Sequence, residues 1–139
     1  MKFWSLFLIL WASQALALSW QDKLKELLPD KLRFVTLQKT TLAEVEAQIG
    51  KPALVRDNKY YWVYQGFEYA LELKVKNKVV QSLHFTFPKQ GPSVDALKLD
   101  PANFKASSLA GSRYMDYHDV GGSISIDLAT QSISVIRIK

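Results

Sequence analysis

Tyr69-Ala70-Leu71-Glu72-Leu73-Lys74-Val75-Lys76-Asn77-Lys78-Val79-Val80-Gln81-Ser82-Leu83-His84-Phe85-Thr86-Phe87 is the stretch that decides the fold. In its first half the odd positions Tyr69, Leu71, Leu73 and Val75 are apolar, and the even ones are Ala70, Glu72 and Lys74. In its second half Val79, Leu83, Phe85 and Phe87 alternate with Ser82, His84 and Thr86. A period of two is the signature of a half-buried strand. Both apolar sets share one face if Val75 lies opposite Val79, leaving Lys76-Asn77-Lys78 as a three-residue loop. A two-residue Asn77-Lys78 turn would place Lys76 opposite Val79 and split that face. The segment therefore reads as a hairpin with one buried side, ended by Pro88, Gly91 and Pro92.

Upstream, Tyr60 to Tyr64 is aromatic and β-prone. Before it stands a helix with both ends written in the sequence. Thr41 and Glu44 form a capping box, Leu42, Val45 and Ile49 share a face, Gly50 occupies the left-handed stop, and Pro52 forbids continuation. An earlier helix opens at Ser19, carries Trp20, Leu24, Leu27 and Leu28 on one side, and stops at Pro29. A short extended piece is expected from Leu32 to Leu37. Downstream, Ser93 to Ser108 suggests one or two helical turns. Tyr114–Tyr117, Ser123–Leu128 and Ile133–Ile138 read as strands.

One constant shift along the chain carries Tyr61 onto Tyr114 and Tyr64 onto Tyr117. It also carries Leu71, Leu73 and Val75 onto Ile124, Ile126 and Leu128, and Val80, Leu83 and Phe85 onto Ile133, Ile136 and Ile138. The two hairpins then match without a gap. Duplication of a half-unit (36–88 and 92–139) would produce this match. So would the alternation that any two hairpins share.

The N-terminus reads as an export signal. Met1-Lys2 is positive, Phe3 to Trp11 is apolar apart from Ser5, and Ala15-Leu16-Ala17 is a small-x-small cleavage site. The run is shorter than the roughly 20 apolar residues that cross a bilayer. Residues 1–17 are thus expected to be removed, leaving a single domain, 18–139, in the periplasm or outside the cell with no stable membrane anchor. Cleavage removes Lys2, one positive charge, from a formal net charge of +5. The chain has no cysteine, which excludes disulfides, thiolate metal sites and a cysteine nucleophile.

The segment Lys39-Thr40-Thr41, Val45, Ile49-Gly50 and Pro52, followed by Tyr61-Trp62-Val63-Tyr64 and the hairpin, resembles the SmpA/OmlA (BamE-like) envelope proteins over about Lys39 to Phe87. The resemblance implies a helical pair on an antiparallel sheet, as in the β-lactamase-inhibitor-protein fold, a tandem of such units. It also implies an envelope location. This chain lacks the family's lipid-bearing cysteine and continues through a second segment. The expected fold class is therefore α+β: an antiparallel sheet with two or three short helices on one face, as one domain or as tandem BamE/BLIP-like half-units.

For function, Tyr60, Tyr61, Trp62, Tyr64, Phe67 and Tyr69 crowd ten positions. Alternation sends them to both sides of a sheet, leaving rings for a protein partner. The expected task is non-enzymatic binding of another envelope or secreted protein, as an assembly accessory or an inhibitor, without a cofactor or nucleic acid. Two alternatives stand beside it. One is a small metal-dependent or hydrolytic enzyme using Asp116, His118 and Asp119, the only cluster of ligand-type residues. The other is a binder of an apolar ligand between helix and sheet. Lys74, Lys76 and Lys78 read as charges that blunt a strand edge.

Overall fold

A computed structural model describes residues 18–109 and 111–139. The expected signal segment lies outside the described residues. Strand β1 (Leu54–Arg56) is followed by β2 (Lys59–Tyr64), β3 (Phe67–Lys76) and β4 (Val79–Thr86). Then come β5 (Phe104–Ala106), β6 (Tyr114–Asp119), β7 (Gly122–Asp127) and β8 (Ser132–Ile138). All eight join one antiparallel sheet in the order β1-β2-β3-β4-β8-β7-β6-β5. Each half is a four-stranded meander, and the halves meet where β4 pairs β8.

Helices α1 (Trp20–Leu27) and α2 (Leu42–Ile49) have eight residues each, and each buries a single residue, Leu24 and Val45. Most of the core comes from the sheet itself: Leu71, Leu73, Leu83, Phe85, Ile124, Ile133 and Ile136 are all sealed within it. The expected α+β class, with two or three helices packed on one face, is therefore corrected to a sheet-dominated fold. Both expected caps form: Ser19 Oγ accepts from the Asp22 amide, and Thr41 Oγ1 from that of Glu44. They mark where helices begin, however, and say nothing about how much of the core a two-turn helix supplies.

The hairpin loop is also corrected. Lys76 does pair with Val79, across a two-residue Asn77-Lys78 turn with both residues at positive φ. The apolar face survives because the register slips beyond it: Val75 opposes Val80, while Lys74 opposes Ser82. Gln81 is the extra residue, and this bulge returns Leu73 to Leu83 and Leu71 to Phe85. The second hairpin has its own bulge at Ser134, between Ile126–Ile133 and Ser125–Val135.

These registers adjust the internal match. The shift that carries Leu83 onto Ile136 also carries Gln81 onto Ser134, so β4 and β8 agree down to the bulge. It fails next door. Leu73 faces Leu83, but it is Ile124, not Ile126, that faces Ile136. The loop after β7 is two residues longer than the Asn77-Lys78 turn, which produces the offset.

Two smaller expectations change. Residues 32–37 form a 3-10 turn (Asp30–Leu32) and hydrogen-bonded turns instead of an extended piece. The 93–108 region holds one 3-10 turn, Pro101–Asn103, and then β5. The edge strands β1 and β5 are three residues long, too short to show alternation. Among the described residues no helix is long and apolar enough to cross a membrane.

Candidate functional site

The sheet's two sides differ sharply. One carries the core. The other is polar, and its residues align in rows across the strands. The central row runs Leu54, Tyr61, Glu72, His84, Arg137, Ser123 and His118, each directly opposite the next. A neighbouring row runs Arg56, Lys59, Lys74 and Ser82.

Over β6–β8 this polar side is covered. The loop after β5 folds across it: Ser107 Oγ donates to Asp116 at 2.8 Å and the Ser108 amide donates at 3.3 Å. Ser125 Oγ donates to the same carboxylate at 2.6 Å. Arg137 reaches Ser125 at 2.9 Å and Ser108 at 3.3 Å. Burial alone would raise the Asp116 carboxyl. The hydrogen bonds from Ser125, Ser107 and the Ser108 amide, with the Arg137 charge, outweigh it and hold the group below its ordinary range. Arg113 grips Asp127 through Nε at 2.9 Å to both carboxylate oxygens.

Over β1–β4 no described segment crosses the polar side, and Arg56, Lys59, Val63 and Lys74 are exposed. Glu72 organises this half. It accepts from Tyr61 Oη at 2.9 Å, and lies 3.6 Å from Lys59 Nζ and 3.5 Å from His84 Nδ1. The hydrogen bond to Glu72 raises the Tyr61 hydroxyl's pKa. His84 is pushed down, first by burial and then by the Arg137 charge, with Glu72 opposing.

The six candidate aromatic residues separate. Tyr60 and Trp62 lie opposite Leu73 and Leu71, on the core side. Trp62 is 3% exposed, and its indole donates to the Gly50 carbonyl at 2.8 Å. The Tyr64 ring meets Phe85 edge-on at 5.3 Å. Trp62 is therefore corrected from contact residue to core, and the half-buried Tyr60 and Tyr64 pack against that core. Alternation distributes rings between faces, and the core claims those beside Leu71 and Leu73. Tyr61 stands on the polar side. Tyr69 is 48% exposed and packs edge-on against it, 5.5 Å between centroids; Phe67 is 44% exposed. Tyr69 also holds φ at 63°, inside the β2–β3 irregularity opposite Val63. A bulky residue rarely adopts that conformation.

Asp116, His118 and Asp119 do not converge. Asp116 is consumed by its serine network. His118 lies two residues along the same strand face, and alternation turns Asp119 to the other side, where it accepts from the Val120 amide. Among the described residues no three such side chains are grouped to hold a metal ion. Lys74 and Lys76 lie on β3, flanked by β2 and β4, so the edge-blunting role expected for them is corrected too.

The chain matches no family model, no curated protein and no solved structure.

Sequence reasoning missed Glu72 and Arg137 as the hubs of this face. Their signal was parity: each is a charged residue on the polar side of a long apolar strand. Only the register across three strands, β3, β4 and β8, aligns them.

Proposed function

We propose that this chain is a non-enzymatic protein-recognition module, exported to the cell envelope, that holds its partner on the uncovered β1–β4 half of the sheet. The observation that carries the reading is the ring pair of half-buried Tyr61 and exposed Tyr69 beside an ordered Glu72–His84–Arg137 row. Large rings with polar handles, held rigidly next to fixed hydrogen-bonding groups, have the composition of interface hot spots. Tyr69 keeps a strained backbone conformation to place its ring there, and such strain clusters at functional sites. The resemblance over Lys39 to Phe87 supports an envelope setting. The mirrored halves of the sheet support tandem half-units.

The test is to replace Tyr61 and Tyr69 with alanine and measure partner binding and stability together. The reading expects binding to fall by about 30-fold, the effect of a hot-spot truncation, with the fold intact. Unchanged binding ends it.

A second reading has its own observation. A groove of about 930 Å³ runs between Pro29–Leu32, the end of α2 and Trp62–Gln65 on the core side. It suits an elongated apolar ligand. Native mass spectrometry of the purified chain tests this reading: a co-purifying lipid-like mass favours it, and a bare chain opposes it.

A further inference from the structure

Three cations stand in direct register on three neighbouring strands. Arg56 opposes Lys59, and Lys59 opposes Lys74. Like charges placed opposite one another destabilise a sheet. Lys59 and Lys74 belong to interior strands, so edge protection does not account for them. Two acids stand near the row: Asp57 follows Arg56 in the β1–β2 turn, and Glu72 is already engaged by Tyr61, Lys59 and His84. Among the described residues neither Arg56 nor Lys74 takes part in an ion pair. The row borders a depression of about 600 Å³ whose charged and titratable lining is Lys59, Glu72, Lys74, His84, Arg137 and Lys139.

We infer that the partner's docking segment is an acidic stretch of protein, crossing the strands so that its carboxylates lie over Arg56, Lys59 and Lys74 while an apolar residue meets Tyr61 and Tyr69. This rests on the reading that the β1–β4 half is the docking surface. Adjacent strands are about 4.8 Å apart, so the three cations span about 10 Å, which long carboxylate side chains on one extended segment can reach. Charge complementarity of this kind fixes register and speeds encounter. Glu72 decides between polyanions. Standing beside the cations in the adjacent row, it repels a uniformly anionic surface such as phospholipid, whereas a protein segment can place a donor opposite it.

The probes are a labelled peptide alternating Glu and Leu, its Gln–Leu counterpart, and phosphatidylglycerol vesicles, each titrated against the full chain. The acidic peptide is expected to bind and to weaken as salt is raised to about 0.15 M. The Gln–Leu peptide and the vesicles are expected to bind at least about tenfold more weakly. The double variant K59Q/K74Q should lose the acidic peptide by a similar factor, while its melting temperature holds or rises because repulsion is relieved. Vesicles binding as well as the peptide, or K59Q/K74Q binding it normally, overturns the inference. The ring variants Y61A and Y69A separate the two claims. If they lose the peptide and the lysine variant does not, the face stands and the acidity fails. If neither loses it, both fail.

Discussion

His84 lies opposite Arg137 on the β4–β8 pair, between Leu83–Ile138 and Phe85–Ile136. The shift that carries His84 onto Arg137 carries Leu83 onto Ile136 and Phe85 onto Ile138, so the pairing maps onto itself about this point. β3 flanks β4 as β7 flanks β8, and the same holds outward to the edges. The two positions have the same place in their halves but opposite chemistry. Arg137 is committed to Ser108 and Ser125, and His84 faces Glu72 at the border of the open half.

That placement makes His84 a source of pH dependence. Burial and Arg137 lower its proton affinity in the folded state, so the unfolded chain takes up the proton first. Stability should therefore fall as pH drops through about 6.5, and level off once the native imidazole is protonated as well. Urea unfolding at about pH 7 and about pH 5 checks this. His84→Gln should flatten that part of the profile.

Trp62 and Tyr69 should respond oppositely to truncation. Trp62→Ala empties a buried site and removes the indole bond to Gly50, at a cost of about 3–5 kcal/mol. Tyr69→Gly loses an edge-on ring contact but relieves the positive φ, so stability should stay within about 1 kcal/mol of wild type. Denaturant midpoints for the two variants measure both.

Asp116→Ala should cost on the order of 3 kcal/mol, because it strands Arg137, Ser107 and Ser125 without their acceptor. Its lowered carboxyl contributes stability that is present above the ordinary carboxylate range and lost as pH falls through the lower folded value. This acid limb lies well below the His84 window. Asp116→Asn should remove it, as read from unfolding curves below about pH 4.

Lys78 holds φ at 65° in the tight turn. Lys78→Gly should therefore stabilise the fold by about 1 kcal/mol. Deleting Gln81 should do the reverse and strongly, since without the bulge the strand must misplace either Val80 or Leu83. Thermal melts of both variants check the turn and the bulge separately.

Much of the sheet was legible because alternation is a local property: Leu71-Leu73-Val75 and Leu83-Phe85 declare their faces without a partner. The helix ends at Thr41 and Gly50 were equally plain. A tight turn at Asn77-Lys78 splits the apolar face of any regular hairpin, so alternation alone points away from it. What rescued that face was Gln81, and an inserted residue in a polar position leaves no mark in composition. Edge strands of three residues are too short for a period to show. The rows of the open face needed long-range register, so Glu72 and Arg137 looked like ordinary surface charges, and the aromatic cluster looked like one surface when Trp62 belonged to the core.

The binding face itself is tested most directly by photocrosslinking in the cells that make the protein. A photoreactive residue replaces Tyr61 on the open side or Lys31 on the opposite side. A discrete crosslinked protein from position 61, absent from position 31 and lost when Tyr69 is also alanine, is the expected result. Crosslinks from position 31 alone, or from neither, would contradict the account.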